Sequence, residues 1–388
     1  MTIELSGCVP TRASPSMPGV SIHNVGTRTS VLGFSKSLSP DRAPAILARG
    51  HAQGITLLRP IIYRTYRLQV LCEIYVGSPT KLVKVVSGSP STLFVVSVHA
   101  DYSVRTHVVR FEDSGVVNEQ IAVLAGTSGH AAPVLCLDAA LSGNSVLTAT
   151  ASDDNTLIIS STGVATGENN AGPRAHRLSN TASDIVFLPE TSKSRAKVSV
   201  LEGTSRIRVI DCLTGRWLLS IYPRFTTAIS SFAVSSWNGA AVVAVTDLGW
   251  RAYKGVTNIQ DGTESGLRGG SGYTYPSDHG LFRGKTSDKA VGKVVTTAGK
   301  VIAKISVGEE GGVGVFDIGS NSEFGTHVPV KFTTTDISVA AVSEDGQSVA
   351  VACGTELFLV SLGGEPEVGM DSFEEDSVVY NERLPIGY

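Results

Sequence analysis

Charged and aromatic side chains are scarce in this chain. Charged residues make up 17% of the 388 positions, aromatic residues make up 6%, and the formal net charge is −3. No basic excess is present to neutralise phosphates, so we expect no direct nucleic-acid binding. The apolar fraction of 42% is enough for a large core, and this excludes a chain that is disordered throughout.

Cysteines are few and far apart, at Cys8, Cys72, Cys136, Cys212 and Cys353. No CxxC pair is present, so a zinc site or a thioredoxin-type redox motif is not expected. Reduced thiols are typical of the cytosol and nucleus. Neither a secretory signal nor an apolar run of about 18 residues is found, so we expect no membrane insertion.

Motifs for catalysis or cofactor binding are also missing. The segment Gly284-Lys285-Thr286 resembles part of a phosphate-binding loop, but that motif needs glycine where this chain has His279. No GxSxG or HExxH motif occurs, and the histidines do not pair at metal-ligand spacing. We therefore expect a protein that is not an enzyme, with no cofactor and no metal.

What the sequence does contain is a series of short β-type runs separated by glycine, aspartate, asparagine or serine. Examples are 93–98, 145–150, 206–210 and 348–352, which are rich in valine, isoleucine and threonine. No helical periodicity of ten or more residues is found. Many short strands predict an all-β sandwich, barrel or propeller.

An internal repeat favours the propeller. One unit begins with Gly-His at 129–130, continues through strands at 134–137 and 145–150, and has a tight turn at 152–155. This is the order of a WD repeat. His130, Thr150 and Asp154 match the residues that form a buried hydrogen-bond network within such blades, whereas Ser160 and Ser161 replace the usual Trp-Asp pair.

Strand ends recur along the chain at 108, 160, 210, 253, 316 and 360. Blades of this type have about 40–45 residues, and polar insertions account for the longer intervals. The segment 21–77 would supply one more blade, built partly from the N-terminus. The sequence therefore predicts a WD40-type β-propeller with seven blades, six or eight being the alternatives.

The predicted domain organisation has three parts. Residues 1–20 form a loose N-terminal segment, and residues 21–363 form a single propeller with insertions near 162–181 and 255–289. Residues 364–388 form an acidic C-terminal tail.

The span 95–256 resembles the nucleoporin thirty-seven family, a small WD-repeat subunit of the Y-shaped outer-ring complex of the nuclear pore. The residues that carry this resemblance are, in order, Leu-Ala-Gly-Thr-Ser-Gly-His at 124–130, Ser-Asp-Asp-Asn-Thr at 152–156, Val-Leu-Glu-Gly-Thr-Ser-Arg-Ile-Arg-Val-Ile-Asp at 200–211, and Asp-Leu-Gly-Trp at 247–250.

The resemblance implies a non-catalytic scaffold subunit that docks on the large arm nucleoporin of that complex. It implies a location at the nuclear envelope and a part in pore assembly and nucleocytoplasmic transport. Because WD repeats serve many functions, an adaptor of another assembly is the alternative, for example in ribosome biogenesis, vesicle coats or ubiquitin ligation. The sequence does not identify the partner-binding residues.

Overall fold

The described part of the chain consists of 28 β-strands joined by turns and contains no α-helix. The computed structural model describes residues 20–36, 46–63, 65–89, 91–112, 115–126, 129–163, 169–188, 196–204, 206–222, 229, 231–235, 241–245, 249–254, 278–281, 293–298, 301–306, 312–317, 326–332, 337–343 and 348–361.

Successive groups of four antiparallel strands form the blades of the propeller. Blade one contains β2 (Val31–Lys36), β3 (Leu47–Gly50), β4 (Gly54–Tyr63) and β5 (Thr65–Tyr75). Blade two contains β6 (Thr80–Ser89), β7 (Thr92–His99), β8 (Val104–Glu112) and β9 (Gly115–Leu124). Blade three contains β10 (Val134–Ser142), β11 (Ser145–Ser152), β12 (Thr156–Gly163) and β13 (Asn169–Arg177).

The second half of the chain repeats this arrangement. Blade four contains β14 (Ala182–Leu188), β15 (Lys197–Glu202), β16 (Arg206–Asp211) and β17 (Trp217–Ile221). Blade five contains β18 (Ser231–Ser235), β19 (Ala241–Val245), β20 (Gly249–Lys254) and β21 (Asp278–Leu281). Blade six contains β22 (Lys293–Ala298), β23 (Val301–Ser306), β24 (Gly312–Asp317) and β25 (Thr326–Pro329).

Blade seven combines the two ends of the described chain. Its first three strands are β26 (Ile337–Val342), β27 (Ser348–Cys353) and β28 (Glu356–Ser361), and its outermost strand is β1 (Val20–Asn24). Strand β1 runs antiparallel to β28, with Val20 opposite Val360 and Asn24 opposite Glu356. The last blade is therefore completed by the first strand, and this pairing closes the ring.

The first strand of each blade contacts the first strand of the next blade, and β26 contacts β2, so the seven blades surround one axis. Blades one and two are also joined through a short parallel pairing of β2 with β6, which places Ser35 opposite Val85 and Lys36 opposite Val86. This pairing merges the two blades into one eight-stranded sheet, beside five sheets of four strands.

The core is divided among the interfaces between neighbouring blades. A cluster of buried side chains between blades three and four includes Ala149, Leu157, Ile185 and Val198. Similar clusters join blades one and two, two and three, six and seven, and seven and one. Because both faces of a blade are covered by its neighbours, middle strands such as β15 and β27 are buried at every position.

One buried carboxylate links three blades. Asp138 of β10 is 0% exposed. Its Oδ2 accepts a hydrogen bond of 2.8 Å from the backbone N–H of Phe187 in β14. Its Oδ1 lies 3.7 Å from Nζ of Lys84 in β6. Because β6, β10 and β14 are the first strands of blades two, three and four, Asp138 fastens adjacent blades near the axis of the ring.

The predicted WD40-type propeller is confirmed, with seven blades. The predicted insertion at 162–181 contains β13, the outermost strand of blade three, and β21 lies within the predicted insertion at 255–289. The N-terminal segment up to residue 19 and the predicted acidic tail at 364–388 lie outside the described residues, and the described part of the propeller extends from Val20 to Ser361.

Candidate partner-binding face

One face of the ring, the upper face, is formed by two kinds of segment. The first kind is the turn between the second and third strands of a blade, and the second kind is the connection from one blade to the next. Its described turns are 51–53, 100–103, 153–155, 203–204 and 354–355, and its described connections are 25–30, 76–79, 125–126, 129–133 and 178–181. The opposite face is the lower face.

Backbone hydrogen bonds tie the segments of the upper face to one another. In blades two, three and four, a backbone N–H at the start of the turn donates to a carbonyl of the preceding connection. The donors are Ala100, Asp153 and Gly203, and the acceptors are Pro79, Pro133 and Thr181. Satisfied backbone groups hold the upper face in a fixed shape, as recognition surfaces on a rigid scaffold require.

The structure brings the three sequence-predicted network residues together in blade three. The imidazole of His130 lies 2.9 Å from the Thr150 hydroxyl through Nε2. Through Nδ1 it lies 3.0 Å from the hydroxyl of Thr156. The backbone N–H and the hydroxyl of Thr156 both donate to Oδ1 of Asp154.

Sequence reasoning missed Thr156, which stands between His130 and Asp154. The direct distance from Nδ1 of His130 to Oδ1 of Asp154 is 3.9 Å, too long for a hydrogen bond. The signal was present in the sequence, since aspartate commonly hydrogen-bonds to a residue two positions on in a tight turn. The network fixes the turn of blade three to the connection that precedes the blade.

Blade two contains a variant of the same arrangement. Ser97, Asp101 and Ser103 stand in the same order and spacing as Thr150, Asp154 and Thr156. Asp101 accepts hydrogen bonds from the backbone N–H and the hydroxyl of Ser103. Here the histidine belongs to the strand itself. Nε2 of His99 lies 2.8 Å from the hydroxyl of Ser97.

Burial lowers the pKa of His99 and His130 in these networks and of His23 in β1. The pKa of His99 is lowered to about 4, mainly by burial, with Arg105 contributing further. Burial lowers the pKa of His23, whose Nε2 lies 2.9 Å from the hydroxyl of Ser21 in β1, to about 4. The pKa of His130 is lowered for the same reason, although Asp154 opposes the shift. These histidines are therefore neutral at physiological pH.

In blade four, charged side chains lie at the turn where blades two and three have the hydroxyl network. The carboxylate of Glu202, buried at the end of β15, contacts the guanidinium groups of Arg206 and Arg208. The guanidinium of Arg208 also lies 3.4 Å from the ring centroid of Trp217. Stacking on the aromatic ring and pairing with a buried carboxylate hold this arginine in one place.

Among the described residues, four of the seven large apolar side chains that are exposed lie at the upper face. Tyr75 ends the last strand of blade one, Tyr102 lies in the turn of blade two, Leu135 begins blade three, and Tyr222 follows the last strand of blade four. All four are exposed, Tyr75 to 71%. The other three are Val117 and Val123 in β9, the outermost strand of blade two, and Leu213 on the lower face. Exposed tyrosines on a rigid surface are typical of protein interfaces.

Among the described residues, no group of three or more His, Cys, Asp or Glu side chains is placed to hold a metal ion. The same part of the chain contains no helix of the length and apolarity needed to span a bilayer.

The fold and the turn networks together define a WD40-type β-propeller. No family model matches the chain, and no curated protein matches it. Solved structures do match, and 1155 of their chains are similar to this one. One is the crystal structure of Raptor from Chaetomium thermophilum, at a TM-score of 0.58 and 14% sequence identity, and the similarity covers 89% of this chain.

That similarity covers 28% of the Raptor chain, so this protein corresponds to a minor part of its length. At 14% identity the likeness shows the fold and carries no function with it. Since neither a family model nor a curated protein matches, the nucleoporin thirty-seven resemblance stays a hypothesis.

Proposed function

We propose that this protein is a non-catalytic docking scaffold that binds a protein partner on the upper face of its propeller. The observation that carries the proposal is that the three exposed tyrosines of the described residues, Tyr75, Tyr102 and Tyr222, all lie on that face, together with exposed Leu135. Truncating such side chains at the centre of an interface commonly costs more than about 1 kcal/mol each in binding free energy.

A hydrolytic role is disfavoured by the burial of two serine–histidine pairs found among the described residues, Ser97 with His99 and Ser21 with His23. Ser97 is 0% exposed and His99 is buried beside it, so a substrate cannot reach the hydroxyl. A nucleophile must lie within contact distance of the atom it attacks. The Ser97–His99 pair supports the architecture of blade two, and we propose that the protein is not an enzyme.

The assembly we favour is the outer ring of the nuclear pore, with docking on the large arm nucleoporin of the Y-shaped complex. The support for this step is the sequence resemblance in order and spacing at 124–130, 152–156, 200–211 and 247–250. The protein would then lie at the nuclear envelope and support pore assembly and transport. The alternative is a WD-repeat adaptor of another assembly, which would share the same docking face and differ in its partner.

Affinity purification of the tagged full-length protein, with identification of stoichiometric partners by mass spectrometry, tests both the docking face and the identity of the assembly. A variant with Tyr75→Ser, Leu135→Ser and Tyr222→Ser alters the upper face, and Leu213→Ser on the lower face is the matched control. We expect outer-ring nucleoporins with the wild type and the control, and their loss with the triple variant.

Ribosome-assembly, coat or ligase components lost in the same pattern would keep the docking proposal and discard the nuclear pore. Partners retained by the triple variant, while its melting temperature is unchanged, would overturn the docking face itself.

A further inference from the structure

The most exposed aromatic side chain of the upper face, Tyr75, lies at the boundary between blades one and two, and Tyr102 lies in the turn of blade two. The two are connected through Arg105, whose guanidinium lies 3.5 Å from the carbonyl of Val76 and 3.5 Å from Oδ2 of Asp101. We call Glu73, Tyr75, Asp101, Tyr102 and Arg105 the junction patch.

Three segments hold the junction patch in place. The backbone N–H groups of Val76 and Gly77 donate to the carbonyl of Gln53, and Ala100 donates to Pro79. Asp101 accepts from Ser103 within its own turn, through a 2.7 Å bond from the hydroxyl. The turn of blade one, the connection and the turn of blade two therefore form one rigid platform, which reduces the entropic cost of binding.

Tyr102 occupies an unfavourable backbone conformation for its residue type. Its φ is +65°, in the left-handed region that bulky side chains avoid. At the corresponding turns of blades three, four and seven, this region is occupied by Asn155, Gly203 and Gly354, which adopt it at little cost. Tyr102 is 38% exposed, so part of its ring is open to a partner.

The charges around the two rings indicate what they contact. The hydroxyl of Tyr75 donates to the carboxylate of Glu73, and Asp101 lies next to Tyr102 in sequence, with its side chain 49% exposed. The patch carries two carboxylates, and its one guanidinium, Arg105, is engaged by Asp101. Aromatic faces bordered by carboxylates attract cations, and arginine most strongly, because its planar group stacks on a ring and pairs with a carboxylate at once.

We propose that the junction patch binds an extended, arginine-bearing segment of the partner protein, with guanidinium groups placed over Tyr75 and Tyr102 and paired with Glu73 and Asp101. This inference rests on the proposed docking function and specifies the partner's chemistry at one site of the upper face.

The first test compares stability with binding in one variant. Tyr102→Gly relieves the left-handed strain, so its melting temperature stays at or above that of the wild type, whereas affinity for the partner segment falls about tenfold. The matched control is Asn155→Gly, at the corresponding turn of blade three, which loses the hydrogen bond from the Thr181 hydroxyl and so lowers the melting temperature somewhat, but leaves the affinity unchanged. Tyr102→Phe keeps the ring face and retains the affinity.

The probe is a fluorescently labelled synthetic peptide, Gly-Arg-Gly-Ser repeated three times, titrated against the full-length protein by anisotropy. A peptide with lysine in place of arginine is the comparison. We expect the arginine peptide to bind about fivefold more tightly. Asp101→Asn retains an acceptor for Ser103 but removes the charge, and it should weaken binding and reduce its dependence on salt.

Each contrary result has a defined meaning. Equal affinity for the arginine and lysine peptides, no binding of either, or unchanged affinity in Tyr102→Gly would overturn the inference. The purified partner separates the two proposals: if it binds the upper face and the arginine peptide does not compete with it, docking stands and the arginine site is wrong. If the partner does not depend on the upper face at all, the docking proposal fails by its own test.

Discussion

Short polar side chains shape the upper face. In blade three, His130 reaches two threonine hydroxyls, and Asp154 fixes the second of them. In blade two, His99 of the strand contacts the hydroxyl of Ser97 instead. Different residues thus satisfy the buried polar groups beside the equivalent turn of each blade, as expected where an unsatisfied polar group would cost about 1–3 kcal/mol.

Removing the imidazole in blade three should measure this contribution. His130→Ala leaves the hydroxyls of Thr150 and Thr156 without their buried partner, so the free energy of unfolding should fall by about 1–3 kcal/mol in chemical denaturation. Asp153→Ala, at an exposed position of the adjacent turn, is the control and should change stability by less than about 0.5 kcal/mol. Equal effects of the two substitutions would show that the network is not a stabilising unit.

Because two histidines are buried in the folded protein, its stability should depend on pH. His23 and His99 have pKa values of about 4 in the folded protein, against 6.5 for an unperturbed histidine. Between these values the unfolded chain binds more protons, so the free energy of unfolding should decrease as the pH falls from 6.5 to 4.

The slope of that decrease is the measurement. Replacing both residues, as His23→Gln with His99→Gln, should flatten it by at most about 1.4 kcal/mol per pH unit for each histidine. Ser21→Ala removes the hydroxyl that His23 contacts and keeps the titrating ring, so it should lower stability without removing the slope. A double variant with the wild-type slope would show that other groups control the acid response.

Among the strands, β1 has the most distant partner in the sequence. It covers β28, in which Leu357 to Val360 are all buried. Without β1, the edge of blade seven would present unpaired backbone groups and apolar side chains, a combination that favours aggregation.

Two truncations isolate the role of β1. Deleting residues 2–24 removes the strand and should lower the melting temperature by about 10 °C or more, with self-association visible by light scattering. Deleting residues 2–18 keeps β1 and should leave the melting temperature unchanged, as the predicted loose segment requires. A large loss in the shorter deletion would refute that prediction.

The first strands of blades two, three and four meet at Asp138. Asp138→Leu removes the acceptor of the Phe187 N–H and the partner of Lys84, and we expect a loss of about 2–4 kcal/mol in the free energy of unfolding. Lys84→Met should cost less than about 1 kcal/mol, because the lysine side chain is 38% exposed. If both variants lost the same amount, the ion pair rather than the backbone acceptor would be the important contact.

The blade pattern could be predicted from strand spacing, and the particulars of the upper face could not. The six strand ends found in the sequence fall in the third strands of blades two to seven, which are β8, β12, β16, β20, β24 and β28. These strands alternate with turns in every repeat and keep their apolar runs. The first blade was less distinct because β1 precedes it in sequence and belongs to the last blade.

Within the candidate site, His130, Thr150 and Asp154 followed from repeat chemistry. Tyr102 and the ion cluster around Glu202 did not, since a positive φ and a buried carboxylate are consequences of tertiary packing that leave no periodic trace.

At the scale of the whole molecule, a truncation can test whether the predicted acidic tail contributes to docking. Removing residues 366–388 deletes most of its carboxylates. If the tail adds contact with the partner, affinity should fall and its dependence on salt should decrease, while the melting temperature stays unchanged. Unchanged affinity would show that the tail takes no part in docking.

The pairing of β1 with β28 also determines the order of events on the ribosome. β1, the first of the described strands, has its partner near the end of the propeller, so β1 stays unpaired while the residues between the two strands are synthesised. Blades one to six can form as they appear, each after the first on the one before it, but the ring cannot close until Ser361 has left the exit tunnel. Chaperone capture during synthesis should therefore map to the N-terminal strand, and a stalled chain ending before β26 should remain protease-sensitive at residues 20–24.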